Sequence, residues 1–341
     1  MFQEDYNLSI FSKIKGKLPT GDKLVDVLKK ELNISTDAAY RRLRGDVPLT
    51  LSEAKILSVK YNISLDDIDL KIKGKVSFNY KPLSTIGLNF ESYLTNIRDN
   101  LRIIKNLENP HIYISVNDTP IFQLFNFPHL TRFKFFFWAH SYLQIPEYKF
   151  KKFGQEKIDK RVLQIGIEAH NTYNSIPTTE IYCPEALRGT LRQIEFYVEA
   201  DMFNDVSYAL RLLDNLKELS DHMKNQAKIG HKYVYGNEPN NSEDSIIDMY
   251  INPNYLPDNT YYIEHKKGSS TFITHNIMNV ISTTDFQYNR DSKFIIDRLI
   301  ATSTLVSETA VKERNRFFAD LNKTIESFRK KIEFLIEQEN T

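Results

Sequence analysis

The sequence contains little cysteine, glycine, proline or tryptophan for its length. Its 341 residues include one Cys, 11 Gly, 12 Pro and one Trp. A single thiol, Cys183, excludes a disulfide within the chain and a zinc site built from several cysteines, and it suits a reducing compartment. We therefore predict a cytoplasmic protein in which Cys183 is a buried, small apolar residue rather than a redox sensor.

Long apolar runs and a strong excess of one charge are also missing. The most apolar segment, residues 121–138, is interrupted by a proline and by basic side chains, so it predicts protein core and no membrane span. The first residues, MFQEDYNLSIF, do not have the basic and apolar regions of a signal peptide. The net charge of +1 gives no overall electrostatic argument for nucleic acid. We expect no membrane partner.

No pattern typical of a catalytic or metal site is present. The eight histidines are scattered, and HExxH, GxSxG and a Gly-rich dinucleotide motif do not occur. The segment HKKGSS, residues 265–270, has residue types of a phosphate loop in the wrong order, and a tight turn explains it better. The sequence therefore predicts a protein that is not an enzyme and that holds no cofactor and no metal.

Two amphipathic segments near the start of the chain predict a pair of helices joined by a tight turn. Asp22 is suited to cap the first helix. Asn33 is suited to the turn because it tolerates the left-handed conformation, and Ser35 is a good N-cap for a second helix that ends before Gly45. Apolar residues recur at helical spacing in the first helix, at Leu24, Val25, Leu28 and Leu32.

The second helix has two contrasting faces. Its inward side is small or apolar, with Ala38, Ala39 and Leu43. Its outward side is polar and carries arginines: Thr36, Asp37, Tyr40, Arg41 and Arg44. A short helix of this kind suits the recognition helix of a helix-turn-helix, which enters the major groove of DNA.

The segment NISTDAAYRRLRGD, followed by LTLSEAKILSVKYNISLDDI, resembles lambda-repressor-like (XRE-type) DNA-binding domains over roughly residues 5–70. The resemblance implies an all-α domain with five helices, near residues 5–14, 21–32, 35–44, 50–61 and 65–69. By position it implies a DNA-facing set made of Ser35, Thr36, Asp37, Tyr40, Arg41 and Arg44. This chain departs from the family at Lys29, where a small residue is usual, and at Arg42, where an apolar one is common.

The rest of the chain predicts a linker and a larger domain. Residues 71–89 are basic and contain Gly and Pro, which indicates either a solvated linker or an arm that contacts phosphates. Residues 90–341 are predicted to be mainly helical, with strands near 111–117 and 245–283 that form a small antiparallel sheet. The predicted fold class is therefore mainly α. Heptad-like apolar seams at 90–104 and 318–335 favour either dimerisation or packing within the chain's own bundle.

Together these features predict a transcriptional regulator that binds double-stranded DNA as a homodimer, with a C-terminal domain for dimerisation or for sensing a small-molecule or peptide effector. An alternative is an interaction adaptor, antitoxin-like or peptide-binding, whose helical C-terminal domain binds a protein partner. A third hypothesis, an enzyme fused to a DNA reader, has no motif in its favour.

Overall fold

The computed structural model describes residues 6–19, 21–61, 63, 65, 75–80, 90–156, 160–239, 245–254, 256, 259–276 and 279–339. The chain forms two compact units, Met1–Phe78 and Asn79–Thr341. Within those residues, none of the helices combines the length and the apolar character that crossing a bilayer requires.

The N-terminal unit is a small helical bundle. Its helices are α1 (Tyr6–Lys15), α2 (Leu24–Leu32), α3 (Thr36–Leu43) and α4 (Leu51–Tyr61). The buried core is formed by Ile10, Phe11, Ile14, Val25, Leu28, Ala39, Leu57 and Ile63. Leu24 and Leu32 also pack against it, so the predicted apolar stripe of α2 is confirmed. The fifth helix expected near 65–69, and the linker at 71–74 and 81–89, lie outside the described residues except for Leu65.

The C-terminal unit is built on a seven-stranded sheet. The strands are β1 (His111–Val116), β2 (Thr178–Tyr182), β3 (Ile247–Ile251), β4 (Thr260–His265), β5 (Gly268–Thr274), β6 (Val280–Thr283) and β7 (Thr304–Leu305). Their order across the sheet is β6-β5-β4-β1-β2-β3-β7. β1, β2 and β3 are parallel neighbours, whereas the other pairings are antiparallel.

This sheet corrects the predicted fold class. We expected a mainly α fold with a small antiparallel sheet, and the sheet is instead large and mixed, which makes the unit α/β. The strands near 111–117 and 245–283 are present, but β1 and β3 each run parallel to β2, which the pattern analysis did not predict. All five residues of β2 are buried, and three of them are polar: two threonines and Glu180. The segment therefore lacks the alternation of apolar and polar residues that is typical of a half-buried strand.

Helices connect the parallel strands and cover the sheet. The C-terminal unit's helices are α5 (Phe90–Lys105), α6 (Ile121–Leu124), α7 (Pro128–Phe137), α8 (Lys160–Asn174), α9 (Arg188–Glu199), α10 (Ser207–Ile229), α11 (Phe286–Ala301) and α12 (Val311–Glu339). A π-helical turn, Trp138–Tyr142, continues α7. Helical crossovers link β1 to β2 and β2 to β3, which is the connection that parallel neighbours need.

The two faces of the sheet bury different clusters. The larger core includes Ile112 and Ile114 of β1, and the aromatic residues of α7, so the core predicted for 121–138 is confirmed. Ile296 of α11 packs on the opposite face with Ile181 and Cys183. Cys183 is buried, as predicted.

Both heptad-like seams pack inside the C-terminal unit. Leu94, Leu101 and Ile104 of α5 belong to the larger core, and α5 packs along α8. Phe318, Leu321, Ile325 and Ile332 of α12 belong to the same core, and α12 packs along α9 and α10. These apolar side chains are therefore used within the chain, which is the second of the two expectations stated for the seams.

A carboxylate lies inside the larger core. Glu180 of β2 is fully buried. The hydroxyl of Tyr173 donates to its Oε1, the hydroxyl of Tyr182 donates to its Oε2 at 2.5 Å, and Thr178 donates to Oε1 at 3.2 Å. Burial, followed by the charge of Glu180, raises the pKa of both tyrosines well above the usual value. These donors satisfy a charge that would otherwise be costly to bury.

A lysine is buried beside this carboxylate. Lys232 is fully buried, and its Nζ donates to the carbonyls of Tyr173 at 2.9 Å and Ile176 at 2.5 Å. The ammonium also lies 4.0 Å from the centre of the Tyr173 ring. Burial lowers the pKa of Lys232 to about 7, and the opposing attraction of Glu180 limits the shift.

Candidate nucleic-acid interface

A short turn with a left-handed residue joins α2 to α3. Asn33 adopts the left-handed conformation, with φ 52° and ψ 49°, and its N–H bonds to the carbonyl of Lys29. Ser35 is extended and its Oγ accepts a hydrogen bond from the N–H of Ala38 at 3.2 Å, so it caps α3 as predicted. Lys23, rather than Asp22, precedes α2 and makes no side-chain cap, so the predicted Asp22 cap is wrong.

The inward face of α3 anchors the helix to the bundle. Ala39 is fully buried, and Leu43 packs against the same core. Ile34, in the turn, packs there too. Because the inner residues are small, α3 lies close to the core and its orientation is set by these contacts.

The outward face of α3 carries all six residues predicted to face DNA. Each of them is exposed: Ser35, Thr36, Asp37, Tyr40, Arg41 and Arg44. Tyr40 is 47% exposed, so its ring is accessible to a partner. The structure therefore brings the predicted residues onto one continuous, solvent-facing surface.

The two outward arginines differ in how they are held. No ion pair or side-chain hydrogen bond to a described residue is made by Arg41, so its guanidinium donors face solvent. The Nε of Arg44 donates to Asp46 at 2.9 Å, with both side chains more than 45% exposed. Exposed pairs of this kind contribute little, so a phosphate could compete for Arg44. Asp37 lies in the first turn of α3, where a negative charge stabilises the helix dipole.

Arg42, one of the two departures from the family pattern, has a structural role. Its side chain turns inward, and its Nη2 and Nε donate to the two carboxylate oxygens of Glu53 on α4, at 2.7 and 3.2 Å. The side chains of both residues are about 15% exposed, at 14% and 15%. A shielded two-pronged ion pair thus joins α3 to α4. Lys29, the other departure, is half-buried, and nothing in the structure explains why a long side chain stands at this position.

Glu53 also completes a capping box that sequence reasoning missed. The N–H of Thr50 donates to Glu53 at 2.9 Å, and the N–H of Glu53 donates to the Thr50 hydroxyl at 3.2 Å. Burial raises the pKa of Glu53, but the bonds from Arg42 and Thr50 outweigh it and hold the pKa below the usual value. Threonine followed three residues later by glutamate is a readable sign of a helix start, so the sequence did contain this signal.

The segment after α3 is held by a residue that has no local signal in the sequence. Asn7 of α1 is 9% exposed, and its Oδ1 accepts a hydrogen bond from the N–H of Leu49 at 3.1 Å. This contact joins residues 42 positions apart, so no short pattern would reveal it. Among the described residues, no group of three or more His, Cys, Asp or Glu side chains could hold a metal ion.

The geometry thus presents a short polar helix, braced from within and open to solvent. No protein-family model, curated protein or solved structure matches the chain. The resemblance to lambda-repressor-like domains accordingly rests on the sequence segments quoted above.

Proposed function

We propose that this protein is a transcriptional regulator that binds a specific double-stranded DNA sequence through α3. The observation that carries the proposal is the continuous exposed face of α3, bearing Thr36, Tyr40, Arg41 and Arg44 on a capped and internally braced helix. A helix of this size fits the major groove, where arginine donates two hydrogen bonds to guanine and apolar or hydroxyl groups contact thymine or phosphate.

The proposal assigns different roles to the exposed residues. Arg41, whose guanidinium bonds to none of the described side chains and stands at the middle of the outward face, reads a base edge. Arg44, next to Asp46, and Ser35, at the positive end of the helix dipole, contact phosphate. Because one recognition helix reads only a few base pairs, the protein binds as a homodimer to two half-sites about one helical turn apart.

The test is selection of bound duplexes from a random library by the full-length protein, followed by anisotropy titrations of the enriched sequence. Arg41→Ala should weaken binding by roughly 1–3 kcal/mol and relax the preference at one position. Arg44→Ala should weaken binding to all sequences. It should also reduce, by about one, the slope of the logarithm of the binding constant against the logarithm of the salt concentration. Paired half-sites in the enriched sequences would support the dimer.

The matched control is Arg316→Ala, which removes an exposed arginine of the C-terminal unit and should leave the affinity unchanged. Failure to enrich any sequence, with equal affinity of Arg41→Ala and wild type for random duplexes, would overturn the proposal. A protein that co-purifies in a fixed ratio would then favour the adaptor function predicted as the alternative.

A further inference from the structure

The C-terminal unit contains a cavity between α5 and the sheet. It measures about 120 Å³ and lies between one face of α5 and strands β1, β4, β5 and β6. Its walls are mainly apolar and include Ile97, Leu101 and Phe272. A cavity of about 150 Å³ lined by Leu, Ile and Phe can stay dry and bind benzene. The space is therefore sufficient for about one small ring.

Two phenol hydroxyls give this apolar space a polar side. Tyr93 of α5 and Tyr261 of β4 both line the cavity. Among the described residues, neither hydroxyl has a hydrogen-bond partner, although Tyr93 packs edge-on against Trp138 and Tyr261 packs against Phe122. Burial raises the pKa of both hydroxyls well above the usual value, and for Tyr261 the nearby Tyr93 adds to the shift. Both side chains are half-buried, so water reaches the two hydroxyls, and the polar group of a ligand can take the place of that water.

The charge of the lining defines the class of ligand. None of the described residues that line the cavity carries a formal charge, and its other polar groups include the amide of Asn100. A charged ligand would lose its hydration without gaining a counter-charge, which is unfavourable in an apolar site. A neutral ligand loses far less and gains hydrogen bonds to the hydroxyls.

We infer that this cavity is a binding site for a small, uncharged, ring-sized molecule that carries one hydroxyl or carbonyl group. The ring fills the apolar part between α5 and the sheet, and its polar group bonds to the hydroxyls of Tyr93 and Tyr261. The site lies wholly within the C-terminal unit, so the inference does not depend on DNA binding by α3.

The chain supplies its own reporter for this site. Trp138 is the only tryptophan, and its ring centre lies 6.3 Å from that of Tyr93. We would titrate the full-length protein with benzyl alcohol and follow Trp138 emission, with benzoate and benzylammonium as charged counterparts of the same size. Benzyl alcohol should give a saturable change, and the two charged compounds should give none at the same concentrations.

Tyr261→Phe and Tyr93→Phe remove one hydroxyl each without changing the ring. Each should weaken benzyl alcohol binding roughly two- to tenfold, the effect of one hydrogen bond. Because the hydroxyls have no partner among the described residues, urea unfolding without ligand should be unchanged or shifted to higher urea. Tyr142→Phe, at an exposed tyrosine that does not line the cavity, is the matched control and should bind as wild type does.

Three results would overturn the inference. These are the absence of a saturable change with benzyl alcohol, equal responses to the charged compounds, and equal affinities of Tyr261→Phe, Tyr93→Phe and Tyr142→Phe. Destabilisation by Tyr261→Phe in the absence of ligand would also count against it, because it would show that the hydroxyl already has a partner in the folded protein.

Discussion

Each unit of this protein contains a pair of charged side chains, and the two pairs lie in opposite environments. In the N-terminal unit, Arg41 and Arg44 stand in solvent on the outer face of α3. In the C-terminal unit, Glu180 and Lys232 are fully buried within the core, where hydroxyls and backbone carbonyls satisfy them. Arg41 and Arg44 therefore face water, whereas Glu180 and Lys232 are enclosed by protein.

This difference separates charges that are available to a partner from charges that are committed to the fold. An exposed charge contributes little to stability, so it can be exchanged for a contact with phosphate or a base. A buried charge becomes strongly destabilising when one of its partners is removed. Substitution of an exposed charge should consequently alter binding, and substitution of an enclosed charge should alter stability, and the following predictions test that division.

The largest effect is expected for Glu180→Gln. The amide puts an NH2 group in the place of one of the two oxygens that accept from Tyr173 and Tyr182, and it leaves Lys232 buried without a nearby negative charge. We expect the free energy of unfolding to fall by roughly 3–5 kcal/mol. Urea titration followed by Trp138 emission measures it, with the exposed Glu238→Gln as control. A shift of the urea midpoint no larger than that of Glu238→Gln would show that the fold does not depend on the negative charge of Glu180.

The next largest expected effect is a loss of stability at acidic pH. Burial lowers the pKa of both His170 and His222 to about 4, from an ordinary 6.5, so both are neutral in the folded protein. The unfolded chain binds more protons between pH 6.5 and 4, so stability is retained above that window and lost as the pH falls through it. When the pH falls from 7 to 5, each histidine should lower the free energy of unfolding by about 2 kcal/mol.

His222→Gln tests this pH dependence, since glutamine can still donate to the carbonyl of Tyr233, 3.0 Å from the histidine Nε2. Urea midpoints at pH 7 and 5 should lie closer together in this variant than in wild type. His275→Gln, at an exposed histidine, should keep the wild-type difference. An unchanged difference in His222→Gln would contradict the assignment.

A smaller effect is expected at two adjacent arginines with opposite orientations. Arg42→Ala leaves Glu53 half-buried without its ion pair, and we expect a loss of about 1–3 kcal/mol in the N-terminal unit. Arg41→Ala should change stability by no more than about 0.5 kcal/mol. Both stability changes can be measured by hydrogen exchange of the full-length protein, followed in peptides from α3 and α4. Similar exchange in the two variants would mean that the inward and outward assignments are wrong.

The smallest effect is expected for the cap of α3. Ser35→Ala removes the acceptor for the N–H of Ala38 and should cost about 1 kcal/mol, seen as faster exchange in the first turn of α3. Ser35→Asn supplies another good cap and should restore slow exchange. If the first turn exchanged as fast in Ser35→Asn as in Ser35→Ala, the serine would not act as a cap.

Much of the local structure was predictable. The helix at 36–43, the left-handed turn at Asn33, the strand at 111–116 and the turn between β4 and β5 all depend on residues a few positions apart. The outward side of α3 followed from helical periodicity in the same way. By contrast, β2 was missed because its buried polar residues make sense only beside Tyr173 and the neighbouring strands.

The sequence by itself determined the serine cap and the end of α3 and which of its faces is polar, because capping and periodicity act within one or two turns of the chain. Only the tertiary structure decided that Arg42 turns inward to Glu53, that β2 lies between β1 and β3, and that Tyr93 and Tyr261 line the same cavity. Each of these joins residues that are distant in sequence. Their free energies depend on burial and on partners that exist only once the chain has folded.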